Sequence, residues 1–268
     1  MLYPIQNAVR NKLDLSGIWD FKTDPDATGE AQGWANGLPD PRPMAVPGSW
    51  NEQYEDLFGY LDLAWYVKQV YVPTLWKGQR IFLRVGSAVY FGAVYLNGVK
   101  VGTHEGGHLP FEFEITAAVQ PGENLLVVRV DGNLAPDQVP PGNVPKDPTH
   151  SFAQRAYPDA NFDFFPFCGI HRPVILYCVP AGGIDDLTVV TTIQGKQGRV
   201  YVQAEAQGQG SLRFTLNGHG ARVQVGAELN HGVAGAVLEV DRAAFWSPQA
   251  PNLYELQVEL LQGRKVVD

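Results

Sequence analysis

Cysteine, clustered basic residues and long apolar runs are all scarce in this 268-residue sequence. Its two cysteines, Cys168 and Cys178, are too few for a disulfide framework or a closed zinc site, so we expect free thiols in a cytoplasmic protein. The 20 Lys and Arg residues form no cluster and are outnumbered by 28 Asp and Glu, which argues against nucleic acid or an anionic membrane as a partner. No apolar run is long enough for a membrane-spanning helix, and the first residues lack the apolar segment of a signal peptide. These absences exclude classes of protein without identifying a partner.

Glycine and proline are abundant instead, at 29 and 20 residues. Together with many short segments of alternating polarity, they predict an all-β protein. Trp65 to Val72 is apolar on both faces apart from Lys68 and Gln69, which is typical of a strand covered on two sides. Asn97-Gly98 predicts a type I′ hairpin turn, and Asn217-Gly218 predicts a second hairpin turn.

The sequence changes character near residue 180. Simple alternation in Arg199 to Ala206 and in Tyr254 to Leu260 predicts a small immunoglobulin-like sandwich. We therefore expect one domain over residues 1–180 and a second over residues 181–268. A strand that begins at Lys265 has almost no length before the sequence stops, so we expect the second domain to be truncated at its last strand. Residues 134–150 contain five prolines and no periodicity, and we expect them to form a loop that walls a functional site.

The least ordinary stretch runs from Asn161 to Arg172, where four phenylalanines surround Asp163. A carboxylate among aromatic rings is poorly solvated and needs a cation, hydrogen-bond donors or a polyol ligand. Flat rings beside an acid also suit a sugar, because its C–H faces pack on the rings while its hydroxyls donate to the acid. The chemistry alone leaves two interpretations open: a sugar-binding acid, or a structural corner in which Asp163 pairs with Arg172 or caps a turn.

Three other groups of polar residues favour structural interpretations. His104, Glu105 and His108 lie close in sequence, but the two glycines between the histidines are more typical of a tight turn than of a metal site. Cys168 has no evident His–Asp partner for nucleophilic catalysis, so we expect a small, buried, apolar side chain. Glu112 and Glu114 alternate with phenylalanines, and we expect them on a solvated face.

Several motifs, taken in order, carry a resemblance to a known family. They are Leu15-Ser-Gly-Ile-Trp19, Val46-Pro-Gly-Ser-Trp50-Asn51, Tyr95-Leu-Asn-Gly98, His104-Glu-Gly-Gly-His-Leu-Pro-Phe111, Gly122-Glu-Asn-Leu-Leu126, Phe162-Asp-Phe-Phe-Pro-Phe-Cys-Gly-Ile-His-Arg172 and Phe245-Trp-Ser-Pro248. Nearly the whole chain resembles the N-terminal half of a family 2 glycoside hydrolase. Phe-Pro-Phe-Cys before Gly169 replaces the Trp-Arg pair of the β-galactosidases of that family, which favours its β-glucuronidase branch.

The resemblance implies an all-β chain, with a jelly-roll sugar-binding domain first and an immunoglobulin-like domain second. In the family a (β/α)₈ barrel follows, which holds the catalytic glutamates and the Asn and Lys that recognise the glucuronate carboxylate. Retaining hydrolysis needs two carboxylates about 5–5.5 Å apart. None of the barrel motifs occurs in this sequence, so we expect the isolated chain to be inactive, with no catalytic residue, metal or cofactor of its own.

The resemblance also implies a binding role for the aromatic stretch. Asp163, with Phe162 and Asn161, is expected to contact the β-glucuronide at the mouth of the barrel, and Arg172 and His171 are expected to hold the corner behind it. The implied partners are the sugar, the barrel of the same parent protein and further copies in a homo-oligomer. Two alternatives stay open: a fragment of a β-galactosidase-type family 2 enzyme, or a free-standing carbohydrate-binding or scaffolding module.

Overall fold

The computed structural model describes residues 3–134 and 165–268. Within these ranges the chain forms β-strands and four short 3-10 helices but no α-helix, which confirms the all-β prediction. The chain divides into two compact units, Lys12–Cys178 and Val179–Asp268, and the second unit includes the N-terminal segment that ends at Asn11. In the described residues no helix is long and apolar enough to cross a membrane. Most of the proline-rich segment, residues 135–150, lies outside the described ranges.

The first unit contains twelve of the strands in the described residues. They are β1 (Asn11–Asp14), β2 (Gly17–Thr23), β3 (Arg42–Val46), β4 (Gly48–Ser49), β5 (Leu63–Val72), β6 (Arg80–Val85), β7 (Phe91–Leu96), β8 (Val99–Glu105), β9 (Phe111–Glu114), β10 (Gly122–Asp131), β11 (Gly169–Ile170) and β12 (Val174–Val179). The 3-10 helices are η1 (Trp34–Asn36), η2 (Trp50–Glu52), η3 (Glu55–Leu57) and η4 (Thr74–Trp76). A six-stranded sheet has the order β3-β2-β5-β10-β7-β8, a four-stranded sheet has the order β1-β12-β6-β9, and β11 pairs with β4.

The central strand β5 is buried on both faces over its first half, as the sequence predicts. Tyr66 belongs to the main core, where its ring lies 5.0 Å from the ring of Phe21 and 6.3 Å from that of Trp50. Trp65 faces the other way into a smaller cluster and meets Trp34 of η1 with ring centroids 6.1 Å apart. The segment that carries η1 therefore covers the outer face of the six-stranded sheet, which explains why β5 does not alternate in polarity.

The Asn97-Gly98 turn is confirmed. It joins β7 to β8 through Leu96 and Val99, which pair directly, and φ is +51° at Asn97 and +80° at Gly98. Positive φ at both central residues defines the type I′ turn.

The prediction that Glu112 and Glu114 share a solvated face is wrong for Glu112. In the β6–β9 pairing Arg84 stands opposite Glu112, and their side chains form an ion pair at 3.2 Å with only 10% and 18% of their surfaces exposed. Glu114 is more exposed, at 43%, and pairs with Arg80 at 3.1 Å. Hydrogen bonds from Arg80 lower the pKa of the Glu114 carboxyl.

The second unit is a smaller sandwich of seven strands in the described residues. They are β13 (Ile184–Gln194), β14 (Gln197–Ala206), β15 (Ser211–Gly218), β16 (Ala221–Glu228), β17 (Val233–Val240), β18 (Glu255–Gln262) and β19 (Lys265–Val266). One sheet has the order β13-β14-β17 and the other has the order β16-β15-β18-β19. The inward alternation predicted for Arg199 to Ala206 and for Tyr254 to Leu260 is confirmed, because those apolar side chains line one core with Phe214.

The predicted hairpin after β15 exists, but its turn was predicted two residues too early. Gly218 pairs with Ala221, and the turn residues are His219 and Gly220, with φ of +49° and +79°. Gly218 has a different role: a Cβ there would lie 2.8 Å from a ring carbon of Tyr254. The glycine therefore permits close packing of the aromatic ring against the strand.

An ion pair joins the N-terminal segment to the end of the second unit. Arg10 donates from Nε to Asp268 Oδ1 at 2.7 Å, and its Nη2 forms a second hydrogen bond with the same carboxylate. The backbone N–H of Ile184 donates to Asp268 Oδ2 at 2.7 Å. The Arg10 and Asp268 side chains are 12% and 2% exposed, so the pair is largely removed from water.

Replacing Arg10 with Ala should destabilise the second unit by about 3 kcal/mol, because the substitution leaves the Asp268 carboxylate buried without its cation. Urea unfolding of the 268-residue chain, followed by circular dichroism and resolved into the transitions of its two units, measures the change. The double variant R10M/D268L, which replaces both charges by apolar groups, should recover much of the loss. An R10A protein as stable as the wild type would show that the ion pair contributes nothing.

Candidate functional site

The described chain resumes at Phe165, two residues after Asp163, in a corner rich in aromatic side chains. The Phe165 ring lies 5.0 Å from the ring of Phe58 and 4.5 Å from that of Phe167. Phe58 is 55% exposed and Phe167 is 39% exposed, so part of this cluster faces solvent. Exposed aromatic faces of this kind suit the C–H surface of a sugar ring.

Asn51 fixes the backbone of this corner. Its Nδ2 donates to the carbonyl oxygens of Leu57, Phe58 and Tyr60 at 2.9, 3.2 and 2.9 Å, and its Oδ1 accepts from the backbone N–H of Cys168 at 2.8 Å. The residue is 2% exposed. A single buried amide thus ties the η3 region to residue 168, across 117 positions of sequence. Buried side-chain networks that are fully hydrogen-bonded make the local backbone rigid.

Backbone pairing completes the corner. Gly169 and Ile170 form β11 and pair with Ser49 and Gly48 of β4, and the Trp50 N–H donates to the Cys168 carbonyl at 3.2 Å. Gly169 has φ of +128°, and a Cβ at this position would lie 2.7 Å from the Gly48 carbonyl oxygen. Only glycine accommodates both constraints, so this position of the motif is set by backbone geometry.

Cys168 is fully buried, which confirms the structural interpretation of this thiol. Its Sγ lies 3.1 Å from the Pro166 carbonyl oxygen and 3.5 Å from that of Gly132. Burial raises the pKa of the thiol well above its ordinary value, so the nucleophilic thiolate is disfavoured.

His171 and Arg172 follow the corner directly. The Arg172 side chain is exposed, and its Nη1 donates to the His108 carbonyl at 2.7 Å. The backbone at Arg172 packs tightly against Gly86, because a Cβ added at Gly86 would lie 2.6 Å from the Arg172 Cβ. Burial lowers the pKa of the His171 imidazole, and a hydrogen bond to the Cys168 backbone opposes that effect. In the described part of the chain, His171 Nε2 is buried and has no hydrogen-bond partner.

A pH effect on stability follows from His171. Because its folded-state pKa is lowered, the unfolded chain binds the proton more readily, and stability falls as the pH drops through the ordinary histidine range towards the folded-state pKa. We expect His171→Gln to lose less unfolding free energy between about pH 7 and pH 5 than the wild type loses. Urea titrations at several pH values measure the difference. The exposed His231 provides the control, and an H171Q profile parallel to those of H231N and the wild type would contradict the expectation.

The histidines considered for a metal site are placed differently from metal ligands. The His104 ring stacks on Phe111 with centroids 4.5 Å apart, whereas Glu105 and His108 are exposed. Gly106 turns the chain between them with φ of +117°. Across residues 3–134 and 165–268, no group of three His, Cys, Asp or Glu side chains has a geometry that could hold a metal ion.

The predicted sugar-contacting residues Asn161, Phe162 and Asp163 lie outside the described ranges. Their role, and that of Arg172 and His171 behind them, stays a prediction. The structure also shows that Asn51 holds this corner. The sequence had indicated Asn51 only as the last residue of the motif at residues 46–51. Asn51 lies in the Trp-Asn pair after a Pro-Gly turn, and no local pattern indicates that its partner is residue 168.

Two protein-family profiles match consecutive parts of the chain. Residues 12–180 match the sugar-binding domain of the family 2 glycosyl hydrolases, and residues 183–268 match a second domain of the same family. The chain belongs to glycosyl hydrolase family 2. Its two sandwiches are the jelly-roll and immunoglobulin-like domains of that family, as predicted.

Within that family the chain corresponds to the N-terminal half of β-glucuronidases. It is 38% identical to a β-glucuronidase of Paenibacillus borealis over 98% of the chain, and 35% identical to that of Sus scrofa over 97%. The matches cover 44% and 43% of those proteins, so the chain spans less than half of their length. A β-glucuronidase structure from Ruminococcus gnavus, in complex with D-glucuronic acid, superposes on the whole chain with a TM-score of 0.89 at 29% identity, and 46% of that structure is covered.

Proposed function

We propose that this chain is the non-catalytic N-terminal part of a retaining β-glucuronidase that hydrolyses β-D-glucuronides. The main support for this proposal is that relatives named β-glucuronidase match nearly the entire chain, including both of its domains. The fold alone would not support this substrate, since one fold hosts many activities. The similar structure in complex with D-glucuronic acid supports the sugar class independently.

The chemistry is divided between this chain and the region that follows in the relatives. Retaining hydrolysis uses one carboxylate as nucleophile and a second as acid and base. We assign both to a (β/α)₈ barrel, in line with the 44% coverage of the Paenibacillus borealis relative. The isolated chain should therefore show no turnover.

The contribution of this chain is one wall of the sugar pocket. Asp163 would accept hydrogen bonds from sugar hydroxyls, with Phe162 and Asn161 beside it. Two described features support that role: the partly exposed phenylalanine cluster that begins at Phe165, and the rigid backbone from Cys168 onward. Binding sites work best when a fixed scaffold positions their loops.

Three further assignments belong to the same proposal. We place the domain boundary at residues 180/181, in agreement with family matches that end at 180 and resume at 183. We propose a cytoplasmic location, because both cysteines are free and buried, as is usual in a reducing compartment. We also propose that the parent protein assembles as a homo-oligomer.

Substrate discrimination by the parent protein tests the proposal. Turnover of 4-nitrophenyl β-D-glucuronide should exceed that of the matching β-D-galactoside and β-D-galacturonide by at least about 100-fold, since a site built to bind a polar group rejects analogues that lack or misplace it. Preference for the galactoside would assign the chain to a β-galactosidase-type enzyme. Tight glucuronide binding by the isolated chain would favour a free-standing carbohydrate-binding module.

A further inference from the structure

The second unit leaves one long strand edge open. β13 is the outermost strand of its sheet, so within the described residues its outer edge pairs with no other strand. An open edge presents unpaired N–H and C=O groups, and proteins usually protect such edges with charges or prolines. From Leu187 to Gln194 the strand has neither. The edge is therefore suited to pair with another strand.

The outward face of this sheet has an apolar centre with a polar border. Val190, Tyr201 and Val237 stand side by side on β13, β14 and β17, and they are 52%, 40% and 46% exposed. The neighbouring cross-strand rows are polar or small, with Thr188, Gln203 and Gly235 on one side and Thr192, Arg199 and Glu239 on the other. An apolar centre inside a polar rim is the usual composition of a protein–protein interface.

The opposite face of β13 is also apolar and accessible. Val189 and Ile193 are 47% and 64% exposed, and they border a cleft of about 430 Å³. Trp246 and Leu253 line the far side of this cleft and are 60% and 75% exposed. Exposed apolar side chains therefore flank this open strand on both faces of the sheet, and exposed apolar patches in soluble proteins mark interaction sites.

We propose that β13 pairs with β13 of a second copy of this chain, antiparallel about a two-fold axis through Val190. In this register Val190 faces its own copy, Thr188 faces Thr192, and Leu187 faces Ile193. Asp186 would face Gln194, so no like charges oppose each other. The strand is thus complementary to itself, as a two-fold interface requires, and its β-branched and Thr–Thr cross-strand pairs are favourable. This self-complementarity is what favours a second copy over an unrelated partner.

A charge placed on the proposed axis tests the pairing. Val190→Asp sets two carboxylates opposite each other in a dimer, and we expect the dissociation constant to rise about 100-fold or more. Sedimentation equilibrium of the 268-residue chain measures the constant, and circular dichroism verifies folding. Leu75→Asp is the matched control, because Leu75 is 87% exposed on the first unit and should leave the dimer unchanged.

A cysteine on the axis tests the register. Residues directly opposite on antiparallel strands are close enough for a disulfide, so Val190→Cys should give a covalent dimer on mild oxidation. Val99→Cys, at a site 62% exposed on the first unit, should not, and the native Cys168 and Cys178 are buried. A monomer at every concentration, a dimer that persists in V190D, or equal cross-linking of V99C would each overturn the proposal.

Discussion

Replacing Asp163 with Ala in the parent protein is expected to lower kcat/KM for an aryl β-glucuronide by roughly 10- to 150-fold. A carboxylate that accepts a hydrogen bond from a sugar hydroxyl contributes about 1.5–3 kcal/mol once water is excluded, and each 1.36 kcal/mol corresponds to about tenfold in rate. The effect requires the sugar to be bound against this wall of the pocket. Initial-rate kinetics on the purified variant measures it.

Two companion variants make the Asp163 result specific. Asp163→Asn keeps the shape and loses the charge, so its activity should lie between those of D163A and the wild type. Asp26→Ala removes an exposed carboxylate of the first unit and should change nothing. D163A activity within about two-fold of the wild type, in protein with an unchanged melting temperature, would contradict the pocket role.

Replacing Asn51 with Ala is expected to destabilise the first unit by roughly 2–4 kcal/mol. The change leaves the buried Cys168 N–H without its partner, and an unsatisfied buried group costs about 1–3 kcal/mol. It also removes the Asn51 bonds to the Leu57 and Tyr60 carbonyls, although these carbonyls still accept from the Tyr60 N–H and from Trp50 Nε1. Because about 2–4 °C of melting temperature corresponds to 1 kcal/mol in a domain of this size, the transition should fall by at least about 4 °C. Calorimetry of the 268-residue chain measures the shift.

The form of the Asn51 network predicts a second result. Asn51→Asp retains an oxygen for the Cys168 N–H but turns the other oxygen towards three carbonyls, so it should be at least as destabilising as N51A. Asn36→Ala is the control, since Asn36 is exposed and makes one weak bond of 3.4 Å to the Gly33 carbonyl. Equal melting temperatures for N51A and N36A would show that the corner is held by other contacts.

Much of the fold could be predicted from local pattern, because alternation reports which face of a strand is buried. The double burial of β5 and the type I′ turn at Asn97-Gly98 are examples. The second hairpin shows the limit of this reasoning. Shifting its turn by two residues leaves the alternation unchanged, and Gly218 is needed to accommodate Tyr254 rather than to turn the chain. Glu112 is similar, since its burial depends on Arg84 of a neighbouring strand.

Less of the candidate site could be predicted from sequence patterns. The hydrogen bond from the Cys168 N–H to Asn51 spans 117 residues, and such a contact is visible only once the chain has folded. The role of Asp163 rests on family resemblance rather than on spacing, because an acid among aromatic residues fits a structural corner equally well. The His171 environment also required the structure, since its lowered pKa comes mainly from burial.

The central claim is that the parent protein hydrolyses β-D-glucuronides and that this chain is its non-catalytic part. The most direct test measures turnover of an aryl β-D-glucuronide across a range of pH, side by side for the isolated 268-residue chain and for its parent protein. We predict that the parent hydrolyses the substrate with a bell-shaped pH profile, as a nucleophile and an acid/base carboxylate produce, and that the isolated chain shows none. Hydrolysis by the isolated chain, or a folded parent protein without activity on any glucuronide, would contradict it.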